Sequence, residues 1–500
     1  MISRRRFLVG GAALAAAGAG CAVVRTGMGN IYLTDTHSHL HRVALERIVT
    51  PESLEGLLGA VADARRDGKA LSIAGGRHAM GGQQLGTGAV LLDTTAMRRV
   101  LRLDLEAGTV EAEAGIQWPE LMDFLTRAQA GRGRPWGIIQ KQMGANRLSL
   151  GGALAANIHG RGLLLKPFVA DVDSFVLVDA GGNLRRCDRR REPELFRLAM
   201  GGYGLFGVVA SVTLRLAPRR ALERTAEMVD GESLLPALER RIASGSLYGH
   251  ARLATDEHSD DFLRRGVLVC DRPLPDAAAL PDPTGSTAAA DLEQDYYLAH
   301  VDKRRAFEQH ARRALAAAGS RHWSDTHQLV PYLDNYHLWL DRRLGARDKA
   351  TEVMTELIVP RAALAGLLDD ARRDLREAGA NVIAATVRLV EGEDETFLAW
   401  ARGPSACVTL ELHVVHTPRD LDRAAAAFRR LIDLALRHGG TYHLTYHRFA
   451  TRAQVEACHP RFAEFLRLKQ RYDREDRFQS DWYRHYRGLF ADGPAPAARG

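Results

Sequence analysis

The chain has 500 residues, 46% apolar and 26% charged, with only 18 prolines, which excludes extensive disorder and calls for two sizeable cores rather than one. Its formal charge of +7 is scattered over short runs such as Arg185-Arg186 and Arg189 to Arg191 that alternate with acids. It lacks the basic stripe with interleaved aromatics of a nucleic-acid binder, so no nucleic-acid partner is expected. The five cysteines, Cys21, Cys187, Cys270, Cys407 and Cys458, form no CxxC pair or disulfide framework.

At the N-terminus, Ser3-Arg4-Arg5-Arg6-Phe7-Leu8 precedes a Gly/Ala-rich run ending near Val24. Residues 1–30 read as a twin-arginine export signal, which implies the export machinery as a partner and a periplasmic or envelope location. The run is short and weakly apolar for a span, and a membrane anchor is the alternative. Gly18-Ala19-Gly20-Cys21 is like a lipoprotein cleavage site without its branched residue. Next, Asp35-Thr36-His37-Ser38-His39 offers two histidines one residue apart, as zinc hydrolases do. A barrel hydrolase needs eight βα units, and the downstream pattern does not alternate that way. A polar surface segment is the competing expectation.

Thr50-Pro51-Glu52 opens a helix carried by Leu54, Leu57, Leu58, Val61 and Ala62 to Gly68. A short strand, Ala70 to Ala74, then leads into Gly75-Gly76-Arg77-His78-Ala79-Met80-Gly81-Gly82-Gln83, a loop whose Cβ-free positions let backbone N–H groups converge on a phosphate. Strands are expected at Ala89 to Asp93, at Val100 to Leu103 with Thr109 to Ala114, and a helix from Pro119 to Ala128. A second glycine segment, Ser149 to Gly162, reads as another phosphate-cradling loop. A hairpin at 174–186, a helix at Glu192 to Ala199 and a strand at Val208 to Leu216 complete an α+β unit over residues 31–219. Gly202 to Gly207 satisfies GxGxxG as a string, but a helix precedes it and a strand follows, the reverse of a dinucleotide fold.

Beyond a boundary at Ala217 to Arg220, strands (Gly266 to Cys270, Val353 to Val359, Val382 to Leu389, Cys407 to Val415, Tyr442 to Tyr446) alternate with helices (Ala362 to Ala378, Leu421 to His438). A second α+β domain is expected over 220–490, with a Pro/Ala/Asp-rich surface loop at 271–295 and a tail at 491–500.

Gly76-Arg77-His78-Ala79, Gly81-Gly82-Gln83, Ser149-Leu150-Gly151-Gly152-Ala153, Asn157-Ile158-His159-Gly160 and Gly204-Leu205-Phe206-Gly207-Val208-Val209, in this order, resemble the FAD-binding domain of the vanillyl-alcohol oxidase/p-cresol methylhydroxylase family over about Leu33 to Arg219. The resemblance implies a two-subdomain FAD-binding domain followed by an α+β substrate domain, with FAD held by these segments. It implies an oxidase or dehydrogenase taking hydride from an alcohol carbon to flavin N5, with oxygen, a quinone or another carrier as acceptor. A C=C reductase of the 24-dehydrosterol type shares the domain and is the alternative.

His78 stands where cytokinin dehydrogenases and sugar-lactone oxidases of this family tether the flavin, although Ala79 replaces the usual serine and Arg77 the usual glycine. His159 is similar to a His-Gly near flavin and substrate in decaprenylphosphoryl-ribose oxidases. Where polyol and aldonolactone oxidases carry Glu-x-Arg on one strand and lysine on another, Thr386-Val387-Arg388 keeps only the arginine and Tyr446 takes the lysine's place. Arg388, Tyr446 and His159 are therefore the expected catalytic residues. Alternation in Thr409 to His413 puts Glu411 and His413 on one face, and these, with His443 and Gln479, are candidate pocket residues.

Overall fold

A computed structural model describes residues 24–25, 31–274, 280, 289–330, 333 and 335–491. The twin-arginine motif, Cys21, most of the Pro/Ala/Asp-rich stretch and nearly all of the tail lie outside the described residues. Among those described, no helix is long and apolar enough to cross a membrane, and Cys187, Cys270, Cys407 and Cys458 are buried free thiols.

The fold is α+β, as expected. A parallel sheet joins Arg47–Val49, Val90–Asp93 and Leu71–Ala74 in that order. The helix beside it, Leu54–Arg66, starts later than Pro51 because the Ser53 hydroxyl accepts from Gly56 N at 3.1 Å and caps it there. Its Leu57, Val61 and Ala64 fall on one face and are fully buried. A second, antiparallel sheet runs Leu184–Asp188, Val172–Val178, Val208–Pro218, Thr109–Glu113, Val100–Asp104. The helix Pro193–Ala199 precedes the Gly202 to Gly207 turn and the Val208–Pro218 strand follows it, the reverse of a dinucleotide fold.

The chain crosses to the third sheet at Arg219-Arg220; Ala217 and Pro218, read as boundary, still belong to the strand. This sheet has eight strands, ordered Arg321–Trp323, Ala221–Asp230, Arg265–Pro273, Tyr248–Leu253, Val382–Val390, Ser405–Val415, Ala350–Pro360, Thr441–Tyr442. Helices Gly231–Ala243, Leu364–Glu377 and Pro418–Arg437 pack against it, burying Val353, Leu357, Val387, Val408 and Leu410. The alternate residues of the same strands turn to the other face, where a cavity opens.

Three expected segments differ. Of the expected Tyr442 to Tyr446 strand only Tyr442 is in a strand, Thr441–Tyr442: after His443 N donates to Glu356 O at 3.1 Å the chain turns away. Residues 271–273, expected in the loop, end the strand Arg265–Pro273 through ladder partners Arg224, Glu223 and Leu222. The second glycine segment is no loop at its start: Leu150–Ala156 is a seven-residue helix capped by Ser149, whose Oγ accepts from Gly152 N at 3.2 Å.

Candidate active site

The strand Leu71–Ala74 delivers Gly75 and Gly76 against the start of the second glycine segment and the residues just before it. A Cβ on Gly75 would fall 2.0 Å from Ser149 Oγ, and one on Gly76 2.0 Å from Arg147 O. Glycine is therefore what lets the two segments meet. They open on a cavity of about 540 Å³ that reaches the third sheet, a volume within the range of ligand sites. Gly75, Gly76, Arg77, His78, Ala79, Met80 and Gln83 line it from one side, and Ser149, Gly151, Gly152 and His159 from another. Gly204, Gly207 and Val209 close the floor. Such narrow walls, where backbone replaces side chains, fit an elongated cofactor carrying phosphates and a flat ring.

Gly81, Asn157, Gly160 and Val208 do not line the cavity; they shape it. A Cβ on Gly81 would lie 2.3 Å from Tyr446 O and one on Gly160 2.6 Å from Lys141 O. Val208 is fully buried in the core beside Val178. Asn157 adopts a left-handed turn (φ 44°), fixed by its Oδ1 accepting from Val169 N at 2.9 Å, its Nδ2 donating to Glu393 at 3.2 Å, and its carbonyl accepting from Trp400 Nε1 at 3.0 Å. That turn sends His159 toward the third sheet.

Sequence reasoning missed the residue that His159 meets. Glu356, on the Ala350–Pro360 strand, is 1% exposed and accepts at Oε1 from Arg388 Nη2 (2.7 Å), Thr409 Oγ1 (3.0 Å) and His159 Nε2 (3.0 Å). At Oε2 it accepts from the Tyr446 hydroxyl at 3.3 Å, with His443 Nδ1 at 3.5 Å. Register makes this cluster: Glu356 pairs with Thr409, which pairs with Thr386, two residues from Arg388. The carboxylate absent from Thr386-Val387-Arg388 is thus supplied two strands away. The available signal was a lone glutamate inside the apolar run Val353 to Val359, since an unpaired buried carboxylate is rare.

Burial alone would push the Glu356 carboxyl up, but His159 and the Arg388 guanidinium more than offset it and hold it well below the usual range. Burial lowers His159, against the opposing pull of Glu356, so its imidazole is neutral near pH 7. With Nε2 hydrogen-bonded to a carboxylate, the proton sits there, and Nδ1 has no hydrogen-bond partner among the described residues. Burial likewise keeps Tyr446 in its phenol form.

Of the pocket candidates, Glu411 and His443 line the cavity; burial raises the Glu411 carboxyl, with Arg252 opposing. His413 does not line it; its Nδ1 lies 3.2 Å from Glu352 Oε1. Gln479 is elsewhere, its amide donating to Asp476 O and its Oε1 accepting from Arg484 Nε. The 35–39 segment is no polar surface. Asp35 and Ser38 are fully buried, and Asp35 gathers the N–H groups of His37, Ser38 and His39. His37 faces His78, Nε2 to Nδ1 3.0 Å, whereas His39 packs edge-on to His337. Among the described residues, neither belongs to a group of three potential metal ligands.

Residues 45–188 match the family described as FAD binding domain. Over 194 residues, 39% of this chain, the protein is 30% identical to "L-galactono-1,4-lactone dehydrogenase 1, mitochondrial" of Oryza sativa subsp. japonica, covering 32% of that protein. It is 27% identical over 181 residues, 36% of the chain, to "L-gulonolactone oxidase" of Bos taurus, covering 39% of it. It is 29% identical over 192 residues, 37% of the chain, to "L-gulono-1,4-lactone dehydrogenase" of Mycobacterium tuberculosis, covering 42% of it. The similarity thus spans about a third to two fifths of these relatives. The matched residues 45–188 carry both glycine segments, so this part of the chain is an FAD binding domain of the kind that the p-cresol methylhydroxylase-type FAD-linked oxidases share, with FAD as its cofactor.

Proposed function

We propose that the protein is an FAD-linked oxidoreductase that oxidises a CH–OH group of a small, hydroxyl-rich substrate of aldonolactone or polyol type. The observation that carries this reading is the buried Glu356 carboxylate, ringed by His159, Arg388, Thr409 and Tyr446 on the wall of the glycine-lined cavity. Bound FAD supplies a hydride acceptor at its N5. The chain must bind the donor, keep water out and take the hydroxyl proton. His159 Nδ1, with its lone pair and no hydrogen-bond partner among the described residues, receives that proton, and ionised Glu356 balances the imidazolium that results. Arg388 and Thr409 fix the carboxylate, and the Tyr446 hydroxyl holds its second oxygen.

The test is anaerobic titration of the flavin-loaded protein with L-gulono-1,4-lactone, L-galactono-1,4-lactone and xylitol. Bleaching of the long-wavelength flavin band by at least one is expected, and its return on adding oxygen or a quinone analogue reports the acceptor class. Flavin that no alcohol bleaches, but that gives up its electrons to an activated alkene after chemical reduction, would replace this reading with C=C reduction.

His78 is the proposed tether to the flavin. Burial, with His37 and Arg147 adding to it, holds its imidazole well below its ordinary value, and burial lowers His37 to about 4. Both rings are therefore neutral, one donating and the other accepting across 3.0 Å, which leaves a nucleophilic imidazole at the cavity wall. Acid-precipitated wild type is expected to retain yellow flavin in the pellet, and the His78→Ala pellet to be colourless. Flavin released from both removes the tether and leaves the cofactor assignment standing.

A further inference from the structure

Among the described residues, three groups bring three potential ligand atoms within 4.8 Å of one another: His159, Glu356 and Cys407; Asp271, His322 and His327; and His300, Glu352 and His413. In the first, Arg388 already donates to the carboxylate at 2.7 Å, and in the second Arg224 donates at 3.0 Å. A guanidinium fills the role of counter-charge there and repels a metal ion. The third differs. The described polar contacts of the Glu352 carboxylate are with His300, His413 and Tyr336, with no arginine or lysine among them.

We propose that His300, Glu352 and His413 bind one divalent transition-metal cation of the zinc type beside the cavity, whose wall Glu352 reaches. The first support is the orientation of His300. Its Nδ1 lies 2.7 Å from the carbonyl oxygen of Tyr296, and a carbonyl only accepts, so this nitrogen carries the hydrogen. In a neutral imidazole Nε2 then keeps its lone pair, and that lone pair faces Glu352 Oε1 at 2.8 Å. Two acceptors so placed need a cation between them, either a second ring proton or a metal ion. Fixing the far ring nitrogen on a carbonyl is how metal-ligating histidines are oriented.

The second support is convergence on rigid elements. Glu352 and His413 are directly paired across adjacent strands, and His300 lies in the last turn of the helix Ala289–Val301. His413 Nδ1 lies 3.2 Å from the same Oε1. The two imidazoles meet edge to face, with centroids 4.9 Å apart, rather than stacking. Two imidazole nitrogens and one carboxylate suit zinc and its neighbours and leave positions open for oxygen ligands. Glu352 lines the cavity four residues from Glu356 on one strand, about 13 Å at the usual rise. A metal there would hold an oxygen-rich part of the substrate away from the Glu356 cluster; this last step alone rests on the proposed oxidation.

The experiment uses untagged, full-length, flavin-loaded protein, stripped with a chelator and titrated with Zn²⁺ against a chromophoric competitor. One equivalent is expected to bind. The His300→Ala/His413→Ala double variant is expected to lose at least about 100-fold in Zn²⁺ affinity, while His322→Ala/His327→Ala binds as wild type does. Flavin content reports folding of each variant. If the first double variant loses its flavin, paramagnetic resonance of Cu²⁺-loaded wild type decides: coupling to two imidazole nitrogens supports the site, and coupling to one or none overturns it. No stoichiometric Zn²⁺ in wild type, or unchanged affinity in the His300/His413 variant, also overturns it. None of these readouts depends on turnover, so failure of the metal site is distinct from failure of the oxidation.

Discussion

Glu356→Gln is expected to lower kcat by about 100- to 10,000-fold, the range over which a positioned proton-transfer unit contributes, with flavin content unchanged. The amide fills the same volume but cannot balance an imidazolium on His159, and it leaves the Arg388 charge buried without its partner. The pH profile separates this from a packing defect. Burial sets His159 below 6.5 and Glu356 pulls it back up. In wild type the rate therefore falls as pH drops below 6.5 through that lowered value, because protonation removes the accepting lone pair. Glu356, held well below 4.5, stays ionised across that window and adds no limb of its own. Removing its charge takes away the upward pull, so the acid limb of Glu356→Gln should move to lower pH while the plateau drops. A variant that turns over like wild type, or slows with its acid limb unmoved, would sink the role assigned to the pair.

How much of this site could be read from sequence differs by element. The glycine segments were legible because their constraint is local: Gly75 and Gly76 tolerate no Cβ against Ser149 and Arg147, and a backbone requirement writes itself as residue type. Arg388, Tyr446 and His159 were legible as members of a pattern. Glu356 was not, because what brings it to His159 and Arg388 is strand order. The Ser405–Val415 strand lies between the strands of Glu356 and Arg388, and no spacing along the chain records that insertion. Helix starts failed in the same way on a smaller scale, where Ser53 and Ser149 cap by a hydroxyl contact that competes with the proline or glycine signal nearby. Gln479 was a pocket candidate, yet the segment that carries it, residues 473–479, serves the parallel sheet and not the cavity.

That segment supplies the largest expected stability effect: Lys469→Ala should cost about 3–5 kcal/mol, the range for breaking a buried ion pair from one side. Lys469, on the helix Phe462–Tyr472, is fully buried. Its ammonium donates to Asp473 Oδ2 at 2.8 Å and Asp476 Oδ1 at 3.0 Å. Asp473, 2% exposed, also accepts from Arg477 N at 2.8 Å and Phe478 N at 2.7 Å. The clamp aligns 477–479 with the parallel sheet, where Leu71 N donates to Arg477 O at 2.7 Å and Gln479 N to Leu71 O at 2.8 Å. Leu71 begins the strand that delivers Gly75 and Gly76 to the cavity, so loosening the clamp should also release flavin at lower denaturant. The denaturation midpoint should fall at unchanged slope, compared at equal flavin loading because bound cofactor stabilises by mass action. Lys469→Met should lose about as much despite its similar stem, since the carboxylate still lies buried without its cation. Lys469→Met combined with Asp473→Asn should recover part of the loss, because no uncompensated charge remains on Asp473. A Lys469→Ala cost below about 1 kcal/mol, typical of an exposed pair, or a double variant less stable than Lys469→Met alone, would show that the clamp is not what holds this segment.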